Sequence, residues 1–376
     1  MPEMNSTYDV ALVGGGVIGL SLAWELSRHG AKVCVVDRGP LGQEASWAGA
    51  GMIPAGPGRD FWAESTPTEQ LAGMSQQLHS EWHHRLLEET GIDNGYLQSG
   101  ALYLAESEAE VTSLEQHSLR WQRLGIENQT LDAQQIADSE PNLAEHARRF
   151  AAAYFVPAES QLRNPRHSQA LIAACQQQGV DLRPGIAVHG FQTASGRLVS
   201  ALTNVGAIHA EQICLTAGCW TGQLAASLER ELPVKPIRGQ IVLLNGPAGL
   251  LRRHINVGKR YLVPRVEGHI LVGSTMEDVG FLKQNTASAT AELLSFATSL
   301  LPAGLELPIE TSWAGLRPAC ADGLPTLGRI PGLDNAWVAT GHFRAGLQLS
   351  PATAVVMRSL MLGESPMVNV DALGVR

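Results

Sequence analysis

The apolar residues at the start of the chain change period twice. Tyr8–Val13 (YDVALV) is a nearly unbroken apolar run, as expected of a strand covered on both faces. From Val17 to His29 the apolar residues Ile18, Leu22 and Leu26 recur at helical spacing, and Gly30 ends the helix. KVCVV is then a second short apolar run that closes at Asp37. Strand, helix and strand in this order form a β-α-β unit.

A loop of small residues follows, GPLGQEASWAGAGMIPAGPG, and after it Leu71, Met74, Leu78, Trp82 and Leu86 make one helical stripe. Thr66 or Thr68 is placed to cap that helix. YLQSGALYLA alternates as a strand, Glu106 to Leu124 reads as a polar helix, and LDAQQIADSEPNL as a short helix stopped before Pro141. Asn164 to Gln178 is helical, with Pro165 early and Gly179 just past it. The strands IAVHGF, RLVSALTN and EQICLTAG come next, the first two joined by the turn ASGR. KRYLVPRVEGHILVGST predicts a hairpin turning at Glu267 and Gly268, Glu292 to Leu301 a helix, and ETSWAGLRP a strand broken by Pro318. AWVATG is the last strand, and Ser350 with Pro351 predicts the start of a final helix reaching Leu362.

The β-α-β pattern returns near residues 211–217 and 336–340, with long hairpins between. The expected fold class is therefore α/β: a Rossmann-like nucleotide-binding domain, split in sequence, with an inserted α+β substrate domain built on an antiparallel sheet. The expected boundaries are 1–76, 160–226 and 318–376 for the first and 77–159 and 227–317 for the second. Composition agrees with a folded chain: 376 residues, 44% hydrophobic and 17% charged. A net charge of −9 without a basic run argues against a nucleic-acid partner. The opening residues MPEMNSTYDV lack a secretory signal, and VALVGGGVIGLSLAWEL carries four glycines and Glu25, which argues against a membrane span. Five cysteines without metal-ligand spacing point to reduced, buried thiols and a cytoplasmic location.

GGGVIG places Gly14, Gly16 and Gly19 between strand and helix in the G-x-G-x-x-G pattern, with Val17 and Ile18 inside it. Gly14 permits the turn, Gly16 lets backbone approach a pyrophosphate, and Gly19 lets helix and strand pack closely. The helix N-terminus offers N–H groups and a positive dipole end to the phosphates. Asp37 closes the second strand and is placed to bond ribose hydroxyls, which argues against a 2′-phosphorylated nucleotide. The glycine pattern alone does not separate NAD from FAD. Two features favour FAD: the loop Ala45 to Gly51, with Ser46, as a second pyrophosphate contact, and GHFRAG ahead of a helix, a second helix N-terminus for the flavin pyrimidine edge.

DVALVGGGVIG, ASWAGAGM, TAGCW, RYLVPR with VGSTME, WAGLRPACADGLPTLGR and GHFRAGLQLSPAT stand in the order and spacing of the FAD-dependent D-amino-acid oxidase family, from about residue 8 to 364. The chain resembles that family, within it the glycine oxidases linked to thiamine biosynthesis. The resemblance implies a glutathione-reductase-type FAD domain and noncovalent FAD. The implied cofactor contacts are Gly14, Gly16, Val17, Ile18, Gly19, Asp37, Arg38, Ala45, Ser46, Ala50, Gly51, Met52, Ala187, Ala217, Gly218, Trp220 and the run His342, Phe343, Arg344, Ala345, Gly346, Leu347 and Gln348.

It further implies that Arg317 binds the substrate carboxylate, a pairing that a planar guanidinium suits by bidentate geometry. Tyr261 is implied to lie over the flavin, and Arg344 to reach both flavin and pocket. Met52 and Met276 are implied to line a small pocket, with Trp313 and His342 as further liners. The implied reaction moves hydride from a small amino acid to flavin N5. An imine results and hydrolyses to an oxo acid such as glyoxylate and ammonia, and oxygen takes the electrons to give hydrogen peroxide. A homotetramer and no membrane are implied. The chain departs from the glycine oxidase pattern at Lys259 and Arg260, which are more basic, and at Pro54, where a small flexible residue is expected. Cys320, close to Arg317, raises a thioether link to flavin, but its register is poor. Three other readings stand beside this one: a dehydrogenase passing electrons to a quinone or protein partner, as in D-amino-acid dehydrogenases and hydrogen cyanide synthase subunits; a flavin-binding protein without catalysis; and an NAD-dependent dehydrogenase.

Overall fold

The computed structural model describes residues 8–375; the expectation about the leader, where it concerns residues 1–7, lies outside them. Continuous apolar runs become strands with both faces covered. In the first sheet the strands run in the order Thr326–Arg329, Ala336–Thr340, Gly206–Leu215, Tyr8–Val13, Val33–Asp37 and Asp181–Pro184. All neighbours are parallel except the outer pair Thr326–Arg329 and Ala336–Thr340. Alternation sorts the side chains. Val10 and Leu12 join a core built with the helices Val17–Arg28, Pro67–Thr90, Asn164–Gln177 and Gly346–Met361. Ala11 and Val13 face the other way and, with Tyr8 and Ile213 of the same sheet, form a second core with Leu198 and Ile208 of an antiparallel meander over residues 188–209. Both faces are dry, so the strands carry no polar alternation.

The second sheet holds Ile309–Cys320, Val234–Asn245, His269–Gly273, Arg260–Pro264, His254–Val257, Ala101–Ala105, Ala152–Val156 and Gln129–Thr130, in that order. It is antiparallel except where His254–Val257 runs parallel to Ala101–Ala105. Val242, Leu262, Ile270 and Val272 pack on Leu293, Phe296 and Leu300 of the helix Ala287–Leu300. Their strand neighbours Ile241, Tyr261, Val263 and Leu271 face the opposite way and meet Ala50 and Met52 of the small-residue loop. The second sheet therefore presents one face to the first unit's loop, and the site forms between them.

Thr66, not Thr68, caps the helix Pro67–Thr90: its hydroxyl accepts from Glu69 N at 3.3 Å, and Glu69 Oε2 accepts from Thr66 N at 2.7 Å. Pro318 does not break its strand. It lies opposite Pro236 on an edge strand, where neither residue is asked for an N–H. The helix expected from Glu292 begins at Ala287, with Thr286 as its cap. The last helix begins at Gly346 rather than Pro351. Pro351 sits within it and cannot donate to the Leu347 carbonyl; the Ser350 hydroxyl donates there instead, at 2.9 Å. Ser350 is thus a repair inside the helix, not its cap.

Glu159 is buried, accepts a 2.6 Å hydrogen bond from the Tyr103 hydroxyl, and has its pKa raised by burial to about 7. A carboxyl whose folded pKa lies above its unfolded value keeps its proton longer when folded, so stability falls as pH rises from 4.5 to 7. The loss is on the order of 3 kcal/mol at most. Glu159→Gln is expected to flatten that slope, read as urea midpoints at pH 5 and pH 7.5; an unchanged slope refutes the assignment.

Candidate active site

The glycine turn follows its sequence logic in detail. Gly14 has φ +119°, and a Cβ there would stand 2.5 Å from the Thr216 carbonyl oxygen. A Cβ on Gly19 would stand 2.0 Å from the Gly14 oxygen, so Gly19 serves packing and does not line the cavity. Gly16 is different: the only atom near its Cβ position is Ser46 Oγ, at 3.1 Å, and the residue lies on the cavity wall. Thr216, which the sequence reading missed, donates to Gly14 O at 2.7 Å and ties the turn to the neighbouring strand.

A cavity of about 450 Å³ begins at this turn, a size common for ligand sites. Its wall includes Val17, Ile18, Asp37 and Arg38 on one side of the turn and Ala45, Ser46, Ala50, Gly51 and Met52 on the other. Ala217, Gly218 and Trp220 close it from the strand end. Asp37 is held by Gly15 N on Oδ2 at 2.8 Å and by Gly39 N on Oδ1 at 2.9 Å. Burial raises its pKa, and these two donors oppose the rise. Arg38 stacks over Trp220, 3.9 Å from the ring centroid. Ser46 Oγ accepts from Val17 N at 2.8 Å, so the small-residue loop reaches the helix N-terminus as expected.

That loop is held from below by Arg265. Its buried guanidinium donates to Ala50 O at 2.7 Å, Gln161 Oε1 at 2.6 Å and Leu162 O at 3.1 Å. Burial lowers its pKa to about 10, so it remains a cation at neutral pH. Arg265 belongs to RYLVPR, but only tertiary contact shows what it holds.

At the far end, period-two spacing puts Trp313, Gly315 and Arg317 on one face of their strand. Gly239 lies opposite Gly315 and Ile237 opposite Arg317. A Cβ on Gly239 would stand 2.1 Å from the Arg317 guanidinium, so the arginine lies folded across that glycine. Likewise Gly273 faces Tyr261, and its Cβ would be 2.4 Å from the Tyr261 hydroxyl. Two glycines thus clear the space in which the arginine and the tyrosine lie. Neither was identified from sequence, because the pairing that gives them meaning is non-local.

Arg317 donates to Ser274 Oγ at 2.8 Å and to the Thr275 carbonyl at 3.1 Å, with the Tyr261 ring on the same cavity wall. Among the described residues it forms no ion pair. Burial lowers its pKa, the Tyr261 hydroxyl opposes this, and the Arg344 charge adds to it. A cation held only by neutral acceptors in a cleft is poised for an anion. Tyr261 is buried, and both side chains line the cavity.

Phe343, Arg344, Gly346 and Leu347 bring the start of the last helix to the same wall. His342 is buried beside them, bonded to Thr353 Oγ1 at 3.1 Å, and burial lowers its pKa to about 4, so it is neutral. Arg344 is exposed and forms no ion pair among the described residues.

Several expected liners lie elsewhere. Ala187 is off the wall, its N–H given to Asn204 Oδ1 at 2.9 Å; Ile186 and Val188 line instead. Ala345 packs into the helical core, and Gln348 uses its amide to hold Pro54 O at 3.0 Å. Pro54 and Trp313 are off the wall too; Trp313 braces Ala48 O at 3.0 Å. Met276 is exposed and lines a second cavity, which meets the first at Ser274, Arg317 and Arg344. Cys320 lies behind Gly341, whose Cβ would be 2.3 Å from its sulfur, and does not line the cavity. Among the described residues no cluster of three metal-binding side chains occurs, and no helix is long and apolar enough to cross a membrane.

Comparison with known proteins agrees with this geometry. A family model described as FAD dependent oxidoreductase (DAO) matches residues 9–360. The glycine oxidase of Pseudomonas aeruginosa is 36% identical over 362 residues, 96% of each chain. The hydrogen cyanide synthase subunit HcnC of the same organism is 31% identical, covering 96% of this chain and 94% of that one. The crystal structure of glycine oxidase from Geobacillus kaustophilus superposes with a TM-score of 0.91 at 31% identity, over 98% of each chain. With a match that runs from the first strand into the last helix, the chain belongs to the DAO family of FAD-dependent oxidoreductases.

Proposed function

We propose that this enzyme oxidises glycine and other small amines, such as sarcosine and small D-amino acids. For glycine the balance is glycine, oxygen and water to glyoxylate, ammonia and hydrogen peroxide. We place this activity in the supply of thiamine thiazole synthesis. The observation that carries the reading is Arg317: a guanidinium held by neutral acceptors only, at the end of a dinucleotide-sized cavity.

The residues present fit FAD. Gly16 leaves the pyrophosphate side of the turn open, and Asp37 stands at the ribose end. The helix starting at Gly346 brings its N-terminal end, with Gly346 and Leu347 on the wall, to the other end, where negative charge is favoured. Bound there, FAD supplies the two-electron acceptor for the substrate C–H bond. The chain's own residues orient. Arg317 takes the carboxylate, and Gly239 and Ser274 fix where the guanidinium lies. Tyr261, on the cavity wall with Arg317, closes one side of the substrate position, and Met52 adds an apolar wall. Neutral His342 leaves the substrate amine free of a nearby imidazolium charge. Fixed orientation of this kind is worth orders of magnitude in rate.

The similarity to HcnC favours a second reading, in which the same site passes its electrons to a quinone or protein partner. Anaerobic addition of glycine, sarcosine or D-alanine to the purified holoenzyme is expected to bleach the flavin absorbance. No bleaching with any of them refutes amine oxidation. Admission of oxygen is then expected to restore the colour with one peroxide per turnover; restoration only by a quinone establishes the second reading.

A further inference from the structure

The second cavity, also about 450 Å³, opens from the first beside Arg317. Its charges do not balance. Lys259, Arg260, Arg317 and Arg344 line it, against Glu277 and Glu292. Both acids are committed. Glu292 pairs with Arg260. Glu277 pairs with Arg238 and accepts from Thr275 at 2.5 Å and from Gln240 at 2.8 Å. Burial pushes its pKa up, but Arg238, Thr275 and Gln240 together outweigh that and hold it low, at about 2. Lys259, Arg317 and Arg344 form no ion pair among the described residues. The Arg344 charge also acts on Arg317, so the cations are mutually repulsive in the absence of an anion. One substrate carboxylate answers one of three charges.

We infer that this enzyme takes amino acids carrying a second carboxylate, with the α-carboxylate on Arg317 and the distal one between Lys259 and Arg344. The inference rests on the amine oxidation proposed above and names its substrate class. The second carboxylate can ride on the nitrogen, as in iminodiacetate, or on the side chain, as in D-glutamate; both bring the same chemistry to the same cations. Iminodiacetate, oxygen and water then give glycine, glyoxylate and hydrogen peroxide: one N–CH₂ arm loses a hydride from carbon and a proton from nitrogen, two electrons and two hydrogens that end on oxygen, and water cleaves the resulting imine. A methyl or hydrogen in place of the second arm leaves the outer cavity to water and the two outer cations unanswered. Lys259 is here a specificity residue, outside the reacting centre.

The test uses the holoenzyme. Its flavin spectrum is first titrated with the unreactive acids glutarate and propionate, and glutarate is expected to bind at least about tenfold more tightly. Turnover of iminodiacetate and D-glutamate is then compared with that of sarcosine. Expected is a higher kcat/KM for at least one of the two, and which of them exceeds sarcosine distinguishes the nitrogen arm from the side-chain arm. Lys259→Gln is expected to reduce the dicarboxylate advantage, in glutarate binding and in turnover, about tenfold and to leave sarcosine turnover unchanged. Equal binding of glutarate and propionate, or an equal effect of Lys259→Gln on sarcosine and dicarboxylates, overturns the inference while sarcosine turnover keeps the proposed function intact. Loss of bleaching with every amine overturns both.

Discussion

Arg317→Leu is expected to raise KM for glycine by about two to three orders of magnitude while FAD stays bound. A bidentate, charge-assisted pair in a partly dry site accounts for about 3–4 kcal/mol, and each 1.4 kcal/mol is about a factor of ten. The cofactor is expected to remain because Arg317 lies at the substrate end and its hydrogen bonds go to Ser274 and Thr275, away from the glycine turn. Leucine also keeps apolar volume over Gly239, so the strand pairing survives. Saturation kinetics beside the flavin spectrum separate the two effects. A near-normal KM removes Arg317 from the carboxylate role; lost flavin colour makes it a structural residue instead. Gly239→Ala is a second probe of the same geometry. Its methyl would meet the guanidinium at 2.1 Å, so it is expected to raise KM by moving the arginine and not by deleting it.

Gly19→Val is expected to cost about 3 kcal/mol or more and to lower the melting temperature sharply, with or without FAD. The new Cβ would meet the Gly14 carbonyl at 2.0 Å and Thr216 Oγ1 at 2.8 Å. That carbonyl is held in its turn by the Thr216 hydroxyl, at 2.7 Å, and cannot retreat without breaking the tie. Gly16→Ala belongs to the same motif and is expected to behave in the opposite way. Only the Ser46 hydroxyl, at 3.1 Å, is near its Cβ, so the fold is kept. The methyl would instead stand on the cavity wall, and FAD affinity is expected to fall about ten- to a hundredfold. Melting curves of apoprotein and holoprotein separate the cases. Equal melting of Gly19→Val and wild type, or undiminished FAD affinity in Gly16→Ala, contradicts this division of labour.

Much of the site was legible because its chemistry is local. G-x-G-x-x-G needs one strand, one turn and one helix, all within the first β-α-β unit, and Asp37 closes that unit. The arginine in WAGLRP was singled out through the family resemblance, which implies its carboxylate role. The last helix was placed too late because Pro351 reads as a helix start when only local preference is weighed. In the folded chain Ser350 supplies the missing donor, and the helix reaches back to Gly346. That shift matters to the site, since it places the helix start at Gly346 and Leu347, both on the cavity wall.

Met276 shows the opposite failure. The family resemblance puts it in the pocket; its strand has ended, and it lines the second cavity, which meets the first at Arg317. Ala187 fails similarly, one residue away from the two that do line the wall. Both residues lie in loops beside strand ends, where tertiary contacts and not local pattern set the path of the chain.

By itself the sequence determined the β-α-β unit, its dinucleotide turn and the α/β fold class. Local sterics suffice for these: glycines where a Cβ would collide, apolar period where water is excluded. The tertiary structure decided what no local pattern contains. It folded Arg317 across Gly239 and set Tyr261 against Gly273. It braced the small-residue loop on Arg265 and left three cations around the outer cavity without a countercharge. Each of these depends on which residue lies opposite which, and that is a property of the assembled sheets.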